Sequence, residues 1–151
     1  MSRPQLTKEL IAATAATFCE QNGFAHEAAA DIASVWGNHM DGYGLAKELE
    51  RQCGWSPTAQ DVEELDGFYD ALRNAHRKAC IAWARENNIQ PPLPIGTMTT
   101  RGEITGIYAY DGACYEIRIP GDADPTRRRI MRFEDAREAH PAATAMMERI
   151  A

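Results

Sequence analysis

The chain has 151 residues, 44% of them hydrophobic and 25% charged, and a formal net charge of −6. These are the proportions of a folded domain with a real core, not of a disordered tail. The acidic balance argues against non-specific nucleic-acid binding by the whole molecule, because neutralising phosphates needs a surplus of Lys and Arg.

The first predicted helix begins at Leu6 and Thr7, with Thr7 as N-cap, and ends at Gly23. Leu10, Ile11, Thr14, Phe18 and Cys19 form its inner stripe, and Ala12, Ala13, Ala15 and Ala16 leave the rest smooth. A second helix is expected from about Ala25 to about Met40, with Ala29, Ile32, Val35, Trp36 and His39 inward. Asp41-Gly42-Tyr43-Gly44 should break it, since each glycine costs roughly 1 kcal/mol in a helix interior, although the apolar spacing continues through Trp36, His39, Tyr43 and Ala46 and leaves a single kinked helix open. A short helix, Leu45 to Cys53, follows and is capped by Gly54.

Ser56 to Asn88 is the longest helical pattern in the chain. Val62, Leu65, Tyr69, Leu72, His76, Ala79 and Trp83 recur at spacings of three and four, which draws one apolar seam. Ser56 and Pro57 suit the N-cap and the first helical position. Asp61, Glu63, Glu64, Asp66 and Asp70 crowd the first half with no base among them. The helix dipole accounts for acids in the first turn and no further. These five carboxylates are therefore the candidate partner-binding residues.

Ile89 to Pro94 carries three prolines and marks a boundary. Residues 1–90 hold 13 acids and 8 bases, and residues 91–151 hold 9 and 8. Beyond the boundary the apolar period changes to two. Gly102 to Tyr110, Ala113 to Ile119 and Arg128 to Phe133 read as strands, and Ile95 to Thr99 as a short fourth. Asp111-Gly112 signals a two-residue hairpin. Glu134 to Ala139 and Pro141 to Ile150 read as terminal helices.

The expected fold is α+β. Residues 1–90 form a helical bundle of three to four helices. Residues 91–151 form a small antiparallel meander of three to four strands with a C-terminal helix, packed on the bundle because three strands alone are barely stable.

Two resemblances attach to particular motifs. Gly102 to Gly106 (G-x-I-x-G), Tyr115 to Ile117 (Y-x-I) and Arg128 to Asp135 (R-R-x-x-R-F-E-D) make Gly96 to Asp135 resemble a small SH3-like barrel of the KOW or Tudor sort. That resemblance implies a module that binds nucleic acid or protein. Asp41 to Leu49 (DGYGLAKEL) is similar to the start of PadR-type winged-helix regulators, in which a recognition helix follows. Here the following helix would present Asp61, Glu63, Glu64, Asp66 and Asp70 to phosphate, where a DNA reader needs Arg, Lys, Asn or Gln.

No catalytic residue, metal or cofactor is indicated. His76 and Cys80 share a helix face, but two ligands do not make a zinc site. Cys114 has no His in the sheet segment to act as its base. Four cysteines without a CxxC pair read as reduced, semi-buried residues.

No apolar run can span a bilayer, and no apolar leader follows Met1, so a cytoplasmic location is expected. The function expected is a non-enzymatic binding protein whose acidic helix surface docks on a basic protein, such as a nucleic-acid-binding complex. Small phage or mobile-element inhibitors, anti-CRISPR proteins among them, share this profile. The alternative is a nucleic-acid-binding regulator using Arg127, Arg128, Arg129 and Arg132 with Tyr108 and Tyr110. Which seam residues face the chain's own core and which a second copy stays open, so a dimer is compatible with the pattern.

Overall fold

Thr7 accepts a hydrogen bond from the Leu10 amide and starts helix α1, Lys8–Asn22, which ends on Gly23 in the left-handed conformation. The computed structural model describes residues 2–37 and 40–140. It divides the chain into a helical unit, Pro4–His76, and a unit carrying the sheet, Met1–Arg3 with Arg77–Ala151. The protein is α+β: helices followed by an open three-stranded antiparallel sheet.

Helix α2 spans only Ala28–Val35. The longer span expected from Ala25 to Met40 fails at Trp36, whose backbone turns to the extended ψ of 129°. His39 lies outside the described residues. Helix α3, Gly42–Cys53, starts three residues earlier than the glycine pair suggests. Asp41 caps it by accepting from the Gly44 amide at 2.7 Å. Gly42 and Gly44 thus sit in a first turn rather than in a linker. Gly54 closes α3 in the left-handed conformation.

The long helix expected from Ser56 to Asn88 is two helices. α4 is Ala59–Leu65 and α5 is Phe68–Glu86, with a turn at Asp66 and Gly67. The N-cap is Thr58, not Ser56, and it forms a reciprocal capping box with Asp61. The break falls on the Asp66-Gly67 pair, a turn dipeptide, and a tertiary contact is made at the same place. A Cβ on Gly42 would lie 2.3 Å from the Val62 carbonyl oxygen and 2.6 Å from the Asp66 nitrogen, so the start of α3 runs against the end of α4. The break also turns the seam. Leu65, Phe68 and Leu72 are buried, while Val62 and Tyr69 are half-buried.

The core of the helical unit gathers Ala15, Phe18, Ile32, Leu45, Leu49, Leu65, Phe68 and Leu72. Phe68 stands edge-on to both Phe18 and Trp36, with centroids 5.3 and 5.2 Å apart. His76 Nε2 lies 2.9 Å from the Pro4 carbonyl. A carbonyl only accepts, so this nitrogen carries the proton.

In the other unit β1 (Glu103–Ile107), β2 (Cys114–Arg118) and β3 (Arg129–Arg132) pair in sequence order. A bulge at Thr105 shifts the β1–β2 register. The core face carries Ile104, Tyr115, Ile117 and Met131, joined by Phe133. Trp83 and Ala84 of α5, with Ile89 and Leu93, pack against that cluster. Tyr115 is fully buried, and its hydroxyl both donates to the Leu93 carbonyl and accepts from the Leu93 amide.

Three expectations are corrected by this unit. The β1–β2 connection is not a two-residue turn, because β1 ends at Ile107 and β2 begins at Cys114. Gly112 is instead pressed against α5, where a Cβ would meet the Cys80 carbonyl oxygen at 2.2 Å. The strand expected over Ile95 to Thr99 reduces to single bridges at Met98 and Thr99. Glu134 to Ala139 is no helix. A 3-10 turn covers Phe133–Asp135, and Glu138 then bridges to Thr99. The helix expected over Pro141 to Ile150 lies outside the described residues.

Arg3 belongs to this unit and is only 6% exposed. Its guanidinium donates to the carbonyls of Gly112 (2.6 Å) and Ala113 (2.8 Å) and grips Glu134 through two bonds of 2.8 and 2.9 Å. It also lies over the Trp83 ring, 5.2 Å from the centroid. The bond from Arg3 holds the Glu134 carboxyl below its ordinary pKa.

Candidate functional site

The five acids of the sequence pattern have different local duties. Asp61 closes the capping box of α4 by accepting from the Thr58 amide at 3.0 Å. Asp66 accepts from the Gly42 amide at 2.8 Å, so it is a second carboxylate at the start of α3. Both are engaged in satisfying helix N-termini. Glu64 accepts from Gln60, and Asp70 stands 3.9 Å from Arg73 in an exposed pair. Glu63 is exposed and makes no hydrogen bond or ion pair among the described residues. Asp70 lies on α5 and the other helical acids on α4, so no single helix stripe carries them.

These duties separate in a stability measurement. Asp66→Ala is expected to cost about 1 kcal/mol, the usual loss on removing a helix cap. Glu63→Ala should stay within about 0.5 kcal/mol, as for an open surface site. Chemical unfolding midpoints compare the two. Equal losses would mean that Asp66 does not act as a cap.

The acidic character of the helical unit exceeds what the sequence halves suggest. Pro4–His76 holds twelve acids and four bases, a formal charge of −8 with His neutral. The other unit holds ten acids and twelve bases, a charge of +2. The two add to the net −6 of the chain. The boundary at His76 and Arg77 falls inside α5 and assigns Arg77, Lys78 and Arg85 to the sheet unit.

Sequence reasoning passed over one feature of the helical unit. Tyr43, Ala46, Lys47, Glu50, Pro57 and Val62 line a cleft of about 200 Å³. Four of these residues follow helix spacing along α3 (Tyr43, Ala46, Lys47, Glu50), and that signal was legible. It is lost when DGYG is read as a break. On the same helix Glu48 is held below its ordinary pKa, first by its bond to Arg51 and then by Gln52.

The basic alternative is less coherent than its run of arginines. Arg127 stands 3.8 Å from Asp122, and Arg128 donates to the carbonyls of Pro125 and Arg127. Register places Arg129 opposite Ile117 on the core side, whereas Ile130 faces Glu116 and Arg132 faces Cys114 on the outer side. Glu116 therefore puts a carboxylate on the central strand of the outer face. Tyr108 and Tyr110 lie beyond β1 and pair edge to face at 5.7 Å, with Tyr110 71% exposed. Tyr115 is buried apart from them.

No activated nucleophile is found among the thiols with shifted titration. Burial pushes Cys19 up, and burial with the Asp111 charge pushes Cys114 up to about 11. Both are thiols, not thiolates, at neutral pH. Among the described residues no three His, Cys, Asp or Glu side chains gather as metal ligands, and no helix is long and apolar enough to cross a membrane.

No family model, curated protein or solved structure matches the chain.

Proposed function

We propose that this chain is a non-enzymatic cytoplasmic binding protein whose acidic helical unit docks on a basic protein surface, in the manner of a phage or mobile-element inhibitor such as an anti-CRISPR protein. The observation that carries this reading is the charge of −8 on Pro4–His76 beside +2 on the rest of the chain. A patch of one sign speeds encounter with a patch of the other and discriminates between partners. The acids not engaged in capping are Glu63, Glu64 and Asp70, since Asp61 and Asp66 serve as caps. A nucleic-acid-binding complex offers such a basic surface.

The test is affinity capture with the chain as bait, from host extract treated with nuclease, compared with the Glu63→Lys/Glu64→Lys/Asp70→Lys variant. A partner that survives nuclease and binds the variant at least about tenfold more slowly is expected. Binding should also weaken between low salt and 0.5 M salt, where the screening length falls below roughly 5 Å. A captured partner indifferent to both changes would overturn the reading.

The second reading rests on the sheet unit, with its charge of +2, the exposed Arg129 and Arg132, and the Tyr108–Tyr110 pair. It makes the protein a nucleic-acid-binding regulator with an SH3-like sheet. It predicts a gel shift with DNA or RNA at low salt that Arg129→Ala/Arg132→Ala removes.

A further inference from the structure

The α3–α4 cleft is apolar at its base and carries one base and one acid, Lys47 and Glu50, in its lining. Ala46 is 4% exposed at its floor, while Tyr43 on its wall is 64% exposed. Val62 and Pro57 complete the apolar lining, and Glu50 is at the rim. Glu63 follows Val62 directly on α4 and is exposed. Lys47, a base at the rim, lies over the Tyr43 ring at 5.5 Å. At about 200 Å³ the cleft is smaller than the roughly 300–1,000 Å³ that small-molecule sites occupy, and it suits a single anchoring side chain.

We propose that this cleft receives one large aliphatic side chain from a basic peptide segment, with flanking Lys or Arg residues meeting Glu50 and Glu63. The inference rests on the acidic docking reading and gives its partner a chemistry. Charge complementarity selects the occupant: a unit of −8 repels an acidic segment and attracts a basic one. The exposed tyrosine and half-buried valine then add apolar contact that charge alone does not provide. The acidic surface would bring the segment in, and the cleft would fix its register.

Two fluorescein-labelled synthetic peptides of equal charge separate the possibilities. One has a central leucine flanked on each side by three alternating Lys and Arg residues; the other has serine in place of the leucine. Fluorescence anisotropy is followed against the whole chain, Tyr43→Ala and Val62→Ser, with circular dichroism checking that each variant is folded. The leucine peptide is expected to bind the whole chain at least about tenfold more tightly than the serine peptide. That preference should fall below about threefold in both variants. Equal binding of the two peptides would overturn the cleft proposal and leave the acidic surface standing. Binding of neither at low salt would overturn both. A leucine preference that survives both variants would place the anchor elsewhere and also overturn the proposal.

Discussion

Arg3→Ala is expected to destabilise the sheet unit by about 2–4 kcal/mol. The two bonds to the carbonyls of Gly112 and Ala113 dominate this figure, because they are buried and made by a charged donor. The Glu134 half of the contact contributes less, since that side chain is 47% exposed and screened by water. Glu134→Gln should therefore cost less than half as much as Arg3→Ala. Urea unfolding followed by circular dichroism measures both, and a loss under about 1 kcal/mol for Arg3→Ala would show the anchor to be dispensable. The pH dependence has a definite sign. The pKa of Glu134 is lowered in the folded state, so its contribution is complete above the ordinary carboxylate range. It fades as pH falls through the lowered value. The stability gap between the parent chain and Glu134→Gln should accordingly narrow in acid and hold steady from pH 6 to 8.

Gly42→Ala should be more damaging still, at about 3 kcal/mol or more. The added methyl would lie 2.3 Å from the Val62 oxygen and within 2.8 Å of the Asp66 backbone. Neither is the end of a flexible side chain, so α3 and α4 must separate. Gly44→Ala supplies the control. It adds the same atom in the same turn, but its nearest neighbour is the Asp41 carboxylate at 3.2 Å. That group is a side chain, so it can give by a few tenths of an ångström at some cost to its cap bond, and alanine's helix preference offsets the loss, so a change within about 1 kcal/mol is expected. Thermal unfolding of the two variants side by side decides the matter. Equal midpoints would mean that the α3–α4 approach has room to relax.

What the sequence made legible was local. Thr7, Gly23 and Gly54 each act within one helical turn, and their capping roles could be read from residue type and position. The alternation of Tyr115 and Ile117 likewise marked the buried face of β2. The break at Asp66 and Gly67 had a local mark in the Asp-Gly pair, but the apolar spacing continues across it and masked that mark. The contact made there by Gly42 lies 24 residues away from Asp66 in the chain. Arg3 gave no signal at all, since its partners are 109 to 131 residues distant.

The candidate site divides the same way. The acids were visible as a run, but their duties were not: a capping carboxylate and an idle one are the same letter. The full charge asymmetry was hidden because it follows the compact units Pro4–His76 and the remainder, which part inside α5 where composition leaves no mark, and not the proline-rich connector near residue 90.

The place of Arg3 also bears on the order in which the molecule is completed during synthesis. Arg3 belongs to a unit whose remaining residues start at Arg77. At about 5–20 residues per second, Gly112 and Glu134 leave the ribosome roughly 5 to 25 s after Arg3. Through that interval the guanidinium has none of these acceptors. Pro4–His76 is contiguous and can close as soon as it has emerged. Arg3 is thus made ahead of the helical unit and locked after it, and the sheet unit is not sealed until its far end reaches this residue.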